Sequence, residues 1–163
     1  MALQLTLLDG RRHDCASFAC GIPALDHYLQ RQASQHQRDG IATAHVLVGD
    51  NHPDRILGYC SLAAAQLLLQ DLQPEDRKRL PAYPVPAVRV GRLAVAKAEH
   101  GKGHGHLLVG HAVNCALVLR QTLGVRVLLV DAKDERVVPF YTSLGFRLTS
   151  ADARVLYLPL GRA

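Results

Sequence analysis

Residues 100–105 have the sequence HGKGHG, in which three glycines alternate with basic side chains. Glycine lets the backbone turn sharply and lets an anionic ligand approach the backbone N–H groups. From His106 onward the apolar residues follow a helical period, and a helix start adds unpaired N–H groups and the positive end of its dipole. Lys102 adds a full positive charge. The segment therefore predicts a phosphate-binding loop that leads into a helix.

Two common phosphate loops do not fit this segment. A Walker loop ends in Gly-Lys-Ser/Thr, but Gly103 is followed here by His104. The dinucleotide fingerprint has the spacing G-x-G-x-x-G, whereas this loop has G-x-G-x-G. On this stretch alone, a tight strand-to-helix turn without a ligand is an equally good interpretation.

Histidines crowd the same region and raise a metal site as an alternative. They are His100, His104, His106 and His111. No carboxylate or thiolate completes a ligand set, and the interleaved glycines suit a phosphate better than a metal ion. We therefore predict that no metal is bound.

The elements that must position the loop follow from periodicity and turn residues. Apolar residues between Val88 and Val95 indicate a strand that enters the loop, and nearly continuous Val and Leu at 125–130 indicate a strand buried on both faces. Further strands are predicted at 3–8, 41–48, 55–69 with a bulge at Gly58, 146–149 and 155–160. Helices are predicted from Pro23 to about Arg38, at 72–80, from His106, and at 135–144.

Length and composition favour one domain, which we expect to span residues 1–163. No apolar run approaches a membrane span, and the N-terminal residues lack the features of a signal peptide. The four cysteines show no C-x-x-C spacing, which favours reduced thiols in a cytoplasmic protein. The net charge of +5 indicates an anionic partner, which could be CoA, nucleic acid or both.

The loop resembles the acetyl-CoA loop of the GCN5-related N-acetyltransferases (GNATs), whose pattern is Gln/Arg-x-x-Gly-x-Gly/Ala. Both small positions match, and His100 departs from the Gln or Arg of the family. A second segment, Pro139-Phe140-Tyr141 followed by Gly145-Phe146, resembles the aromatic pair on the last helix of the family and the start of its next strand. The resemblance implies a GNAT fold in the α/β class: a central mixed, mostly antiparallel sheet flanked by helices, with splayed central strands that hold acetyl-CoA.

The resemblance also implies a role for each matching residue. Tyr141 would be the general acid near the thioester sulfur, although it could also be an amphipathic tyrosine at the sheet edge. The acetyl-CoA contacts that the resemblance implies are Leu93, Ala94, Val95, His100, Gly101, Lys102, Gly103, His104, Gly105, His106, Asp131 and Phe140. The backbone of 93–95 would bind the pantetheine arm, and the loop would bind the pyrophosphate. No carboxylate is a persuasive general base, so histidines, a water chain or an amine that arrives deprotonated stay open.

Four segments look like the toxin branch of this superfamily, from type II toxin–antitoxin pairs: FACGIPALDHYLQRQA, ILGYCSLAAA, RLPAYPVPAVRVGRLAV and VVPFYTSLGF. That resemblance implies acetylation of the α-amine of aminoacyl-tRNA, which stops translation, and a ribbon-helix-helix antitoxin as partner. We also expect a homodimer. The residues expected to contact RNA are Arg89, Arg92, Lys97, Lys133 and Arg136.

Two alternatives stay open at this point. The first is an acetyltransferase for a small-molecule amine or a protein amino group. The second, from another class, is a non-catalytic CoA-binding or DNA-binding partner subunit. The basic residues do not decide between them, because arginines scattered over helices are usually a solvated face.

Overall fold

The computed structural model describes residues 1–150 and 152–161. Its strands are β1 (Leu3–Leu7), β2 (Thr43–Gly49), β3 (Gly58–Leu67), β4 (Val85–Val95), β5 (Val127–Asp131), β6 (Arg147–Leu148) and β7 (Val155–Pro159). Its α-helices are α1 (Pro23–His27), α2 (Ala33–Arg38), α3 (Pro74–Arg77), α4 (His104–Leu119) and α5 (Val138–Ser143). Within the described residues, the strands form a seven-stranded sheet in the order β1-β2-β3-β4-β5-β7-β6. The sheet is mixed, as predicted, with a parallel ladder between β4 and β5.

The chain forms two compact units, of which the first contains residues 1–63 and 91–112. Antiparallel ladders join β1 to β2 and β2 to β3 in this unit. Its core is made of apolar side chains from these strands and from the first helical region, including Phe18, Leu29, Val46 and Tyr59. The apolar alternation that predicts these strands therefore corresponds to one buried core.

The first helical region differs from the continuous α-helix that the sequence predicts. Between α1 and α2 the chain forms a π-helical turn at Tyr28–Gln32. Tyr28 and Leu29, at the start of this turn, are both buried. A single wide turn barely alters the spacing of apolar residues, so periodicity does not reveal it.

Gly58, where the sequence predicts a β-bulge, has a different structural role. It is the first residue of β3, paired with Leu47 of β2. A Cβ at this position would lie 3.0 Å from the backbone oxygen of Ala94. The glycine is required because β4 passes too close for a side chain.

The second unit contains residues 64–90 and 113–163. The parallel register between β4 and β5 runs from Ala87↔Val127 to Val90↔Val130, and β4 then continues to Val95. On its other edge β5 pairs antiparallel with β7, which pairs antiparallel with β6. The side chains of β5 from Val127 to Val130 are buried, as their nearly unbroken apolar sequence predicts.

The connection from β3 to β4 carries less helix than predicted. The helix expected at 72–80 is reduced to α3, because the backbone of Lys78 leaves the helical conformation with a ψ of 136° and Arg79 then adopts a φ of 66°. Asp76 in this connection accepts hydrogen bonds from Arg147 at 2.6 and 2.7 Å and from the Tyr157 hydroxyl at 2.5 Å. The connection is therefore tied to β6 and β7 by polar contacts.

None of the described helices combines the length and the apolar character that crossing a lipid bilayer requires. All four cysteines lie within the described ranges, and none of them is in a disulfide.

Candidate active site

The glycine loop, residues 100–103, connects a 3₁₀ turn at Lys97–Glu99 to the start of α4. Gly101 and Gly103 have φ values of 82° and 81°, a backbone conformation that other residues rarely adopt. Apart from the adjacent residues, no atom of the described chain lies within 4 Å of where their Cβ atoms would be, so the backbone conformation, and not a lack of space, requires glycine. The helix begins two residues earlier than predicted, at His104, and includes Gly105 and His106.

A buried carboxylate that the sequence analysis overlooked lies beneath this loop. Glu99 accepts hydrogen bonds from Lys102 Nζ at 3.1 Å and from His104 Nε2 at 3.3 Å, and Arg55 Nη2 lies 3.9 Å away. The hydrogen bond from Lys102, opposed by burial, keeps the pKa of Glu99 below its ordinary value. The carboxylate is therefore ionised near neutral pH, and Lys102 is directed toward it.

His104, the first residue of α4, is also buried. Because the ionised Glu99 carboxylate only accepts hydrogen bonds, the proton lies on Nε2 of the His104 ring. Its other ring nitrogen, Nδ1, is buried and has no hydrogen-bond partner among the described residues. A buried polar atom without a partner, beside a helix start, is a feature expected where a ligand completes the hydrogen bonding.

The other predicted histidines have separate partners. His100 Nε2 donates to the backbone oxygen of Val95 at 2.9 Å, which ties the loop to the end of β4. His111 lies farther along α4, and its Nε2 is 2.9 Å from Nδ1 of His45 on β2. His100, His104 and His111 thus point to three different groups and do not converge on one ligand set.

The predicted pantetheine-binding segment, Leu93 to Val95, lies beyond the last pair of the parallel β4–β5 register. Ala94 is buried, whereas Leu93 and Val95 are half-buried. Asp131, the last residue of β5, lies 3.4 Å from Arg89 Nε through its Oδ2 atom. The geometry there is that of a charge contact, without a hydrogen bond at Arg89 Nε.

Tyr141 lies on α5 in the second unit and is fixed by aromatic packing. Its ring meets Phe140 and Phe146 edge-on, with centroids 5.1 and 5.5 Å apart. Gly145 has a φ of 96°, which turns the chain back so that the Phe146 N–H donates to the Tyr141 backbone oxygen at 3.2 Å. The predicted Gly-Phe pair therefore serves to hold the tyrosine ring in place.

The residues predicted to contact RNA have different partners. Arg136 is exposed and donates to Asp134 at 3.0 Å, and Arg89 faces Asp131. Arg92 lies over the ring of Tyr28, with its Cζ 3.6 Å from the ring centroid. Two exposed lysines of the set, Lys97 and Lys133, have no ion-pair partner among the described residues.

The sequence did not predict two residues that contact members of the candidate site: Glu99, which binds Lys102 and His104, and Tyr28, which lies against Arg92. Glu99 is three residues before Lys102, a spacing that allows an ion pair and could have indicated it. Tyr28 lies within the helix predicted from Pro23 to about Arg38, and a helix prediction does not indicate a cation on its ring.

Comparison with known proteins places the chain in a family. The model of the acetyltransferase (GNAT) domain matches residues 42–148. The tRNA-acetylating toxin of Mycobacterium tuberculosis is 30% identical over 145 residues, which cover 89% of this chain and 85% of the toxin. AtaT complexed with acetyl-methionyl-tRNAfMet is 29% identical with a TM-score of 0.90, over 97% of this chain and 95% of AtaT.

A further solved structure contains a tyrosine-to-phenylalanine mutant of the AtaT toxin bound to the C-terminus of the antitoxin AtaR and acetyl-CoA. It is 28% identical with a TM-score of 0.82, over 97% of this chain and 93% of that protein. These matches confirm the GNAT fold predicted from the two sequence signatures and the toxin resemblance predicted from the four longer segments. The chain belongs to the GNAT acetyltransferase family.

Proposed function

We propose that the protein transfers the acetyl group of acetyl-CoA to the α-amino group of aminoacyl-tRNA and thereby blocks translation, as the toxin of a type II toxin–antitoxin pair. The observation that carries the proposal is the match over nearly the whole chain to AtaT in complex with acetyl-methionyl-tRNAfMet. The match to the tRNA-acetylating toxin supports the same substrate class. Residues 1–163 would act as one domain, since the matched residues 42–148 belong to both compact units. The cytoplasm is the proposed location, because the matched toxin acts on tRNA.

The glycine loop suits the pyrophosphate of acetyl-CoA. Its two left-handed glycines leave the backbone open to a ligand, and α4 contributes its N-terminal N–H groups. Lys102 and Arg55 bring two permanent positive charges to a single carboxylate, Glu99, so that the surroundings of the loop have a surplus of positive charge. Because the His104 ring places its proton on Nε2, its Nδ1 can only accept a hydrogen bond, so a pyrophosphate oxygen would not be its partner.

His100, at the position of Gln or Arg in the family pattern, has a different role in the proposal. Because its ring bonds the Val95 backbone oxygen, it supports the loop and the end of β4 rather than adding a charge to the phosphate site. Leu93 to Val95 would bind the pantetheine arm through the backbone, with Phe140 and Asp131 as further contacts.

Acetyl-CoA supplies an activated acetyl group on a thioester. The chain must then bring a neutral amine to that group and provide a proton to the departing thiolate. Tyr141 is the proposed proton donor, since its ring is fixed by Phe140 and Phe146 and its hydroxyl is the only part that could exchange a proton. The amine would arrive deprotonated or lose its proton to water, because no side-chain base is assigned.

The proposed partners are a ribbon-helix-helix antitoxin and a second copy of the chain. The antitoxin proposal is supported by the solved complex of the AtaT mutant with the C-terminus of the antitoxin AtaR. The homodimer rests on the toxin resemblance alone.

The test mixes purified protein, acetyl-CoA and charged tRNA, and then analyses the recovered RNA for N-acetylated amino acid by mass spectrometry. We expect acetyl on the α-amine of at least one aminoacyl-tRNA, and far less of it with the Tyr141→Phe variant over the same interval. Transfer to a polyamine or a peptide amine, but to no charged tRNA, would replace the proposal with the small-amine or protein-amine alternative.

A further inference from the structure

The ring of Tyr28 is rigidly held in the first unit. Tyr28 is buried, and its hydroxyl shares a hydrogen bond of 3.1 Å with Nδ1 of His36. Burial raises the pKa of the Tyr28 phenol, so the ring stays neutral and keeps this contact over the physiological pH range. The ring of Tyr59 runs nearly parallel to it, with an interplanar angle of 11°. A side chain that stacks on Tyr28 therefore meets a surface of fixed orientation.

Arg92 is the side chain that uses this surface. It lies on β4, directly before the predicted pantetheine-binding residues, and its guanidinium carbon is 3.6 Å from the centroid of the Tyr28 ring. This distance is that of a cation–π contact, which Arg makes more often than Lys because its planar guanidinium can stack on an aromatic ring. The π-helical turn that begins at Tyr28 is itself unusual, and such turns occur frequently at functional sites.

The charge of Arg92 is not paired with a carboxylate of the described residues, unlike the charges of the other two arginines predicted to contact RNA. Arg89 faces Asp131 and Arg136 is bound to Asp134, but no described carboxylate lies within ion-pair distance of Arg92. A guanidinium that stacks on a ring keeps its N–H groups in its own plane, where they can donate to other acceptors. Because Arg92 is half-buried, an ion pair formed there is screened less than one on the open surface.

We propose that Tyr28 is a positioning residue that fixes the guanidinium of Arg92, and that Arg92 binds a backbone phosphate near the aminoacylated end of the RNA. This inference rests on the proposed function and identifies the residues that recognise its acceptor. A phosphate is the best acceptor because its oxygens match the planar fork of N–H groups. The amino group of the acceptor is a cation or a neutral donor, which Arg92 does not attract.

The first experiment measures acetyl transfer to charged tRNA for Arg92→Gln and Arg92→Lys. We expect KM for tRNA to rise roughly ten- to hundredfold in the Gln variant, as the loss of a hydrogen-bonded charge implies, with a smaller change in kcat. The Lys variant keeps the charge but loses the fork and the flat stack, so its KM should also rise. Arg154→Gln removes the same charge from an exposed position and serves as the control.

The second measurement is the salt dependence of tRNA binding. Neutralising one phosphate contributes about −0.7 to −0.9 to the slope of log affinity against log salt concentration. Arg92→Gln should reduce the steepness of the slope by about that amount. An unchanged slope would overturn the assignment of a phosphate to Arg92, because a merely structural arginine does not alter counterion release.

Two substitutions at Tyr28 test the positioning role. Tyr28→Phe keeps the ring and removes the hydroxyl, so KM for tRNA should stay close to that of the wild type. Tyr28→Leu removes the aromatic surface and should raise KM in the same direction as Arg92→Gln. Acetyl-CoA affinity and thermal unfolding, measured for both, show whether the variants are folded. A folded Leu variant with wild-type KM would overturn the role of Tyr28.

The results separate this inference from the proposed function. If the wild-type protein acetylates charged tRNA but Arg92→Gln has an unchanged KM, this inference fails and the proposed function stands. If the wild type acetylates no charged tRNA, the proposed function fails, and the inference fails with it. A combined rise in KM and loss of salt dependence in the Arg92 variants supports both.

Discussion

The glycine loop and α5 carry the two halves of the family signature, and they are built in opposite ways. The loop depends on backbone conformation and charge: two glycines with positive φ and a buried carboxylate that holds Lys102 and His104. α5 depends on apolar packing, with Tyr141 held edge-on between Phe140 and Phe146. In the proposed function the loop would offer many weak polar contacts to acetyl-CoA, whereas α5 would offer one hydroxyl in one place.

Substitutions in the two regions should therefore change different kinetic quantities. A site made of distributed charges and N–H groups mainly contributes binding energy, which appears in affinity. A single fixed hydroxyl contributes to the transition state, which appears in turnover. The variants below test that division.

Tyr141→Phe should have the largest effect. It removes the hydroxyl and keeps the aromatic packing, so we expect kcat to fall by roughly 10²- to 10⁴-fold, the usual contribution of general acid catalysis, with little change in acetyl-CoA affinity. Steady-state kinetics and calorimetry measure the two quantities. Tyr83→Phe, at an exposed tyrosine, is the matched control. Near-native turnover in Tyr141→Phe would assign the residue to packing alone.

Gly103→Asp should have the opposite signature. A carboxylate next to the pyrophosphate costs several kcal/mol through like-charge repulsion, which corresponds to a loss of acetyl-CoA affinity of about 100-fold or more. The positive φ of Gly103 adds strain of about 1–2 kcal/mol for any other residue. Gly103→Ala carries the strain without the charge and separates the two causes. Calorimetric binding of acetyl-CoA that is unchanged in a folded Asp variant would exclude this loop from the site.

Glu99→Gln tests the support beneath the loop. We expect the free energy of unfolding to fall by about 1–2 kcal/mol at pH 7, because Lys102 and His104 lose a charged acceptor. The folded pKa of Glu99 is lowered, so its contribution is present above its unfolded pKa and is lost as the pH falls. Urea denaturation at pH 7 and pH 4 measures both effects. If the Gln variant and the wild type lost the same free energy of unfolding between pH 7 and pH 4, Glu99 would contribute nothing to the pH dependence of stability.

Protonation of His45 and His111 should have a smaller effect, which concerns only the free energy of unfolding. Burial, and then the charge of His111, lowers the pKa of His45 from 6.5 to about 4, and burial also lowers that of His111. The unfolded chain therefore binds more protons on acidification, so the free energy of unfolding should fall between about pH 6.5 and 4. Partial solvent exposure reduces the expected loss to the order of 1 kcal/mol.

The measurement for this pair is urea denaturation at pH 7 and pH 5, with His45→Gln as the comparison. The variant should lose less stability than the wild type over this interval. An identical loss in the two proteins would show that the pair does not titrate as its burial implies.

The sequence predicted the fold well because the strands follow local rules. The unbroken apolar run of β5 reflects the burial of that strand, and Gly145 after α5 reflects a positive φ at that residue. The π-helical turn, the short α3 and the reason for Gly58 were not predictable, since each depends on a neighbour distant in the chain or on a single backbone angle.

The candidate site was predicted as a set of residues but not as a set of contacts. The glycine spacing indicated the loop, and the structure adds that Lys102 faces Glu99 and that His100 faces the Val95 backbone. The cation–π contact joins Arg92 to Tyr28, two residues that lie far apart in the chain. Charge and spacing along a sequence cannot report a contact of that kind.

The hydrogen bonds of Asp76 have a consequence for the order in which the chain folds. They join the β3–β4 connection to residues 71 and 81 positions later, Arg147 and Tyr157. β5 likewise finds its antiparallel neighbour only in β7, which ends at Pro159. During synthesis the second unit can therefore begin to assemble around β4 and β5, but its sheet and its connection close only after the last strand has left the ribosome. A nascent chain interrupted before residue 147 would expose the edge of β5 and leave Asp76 without both partners.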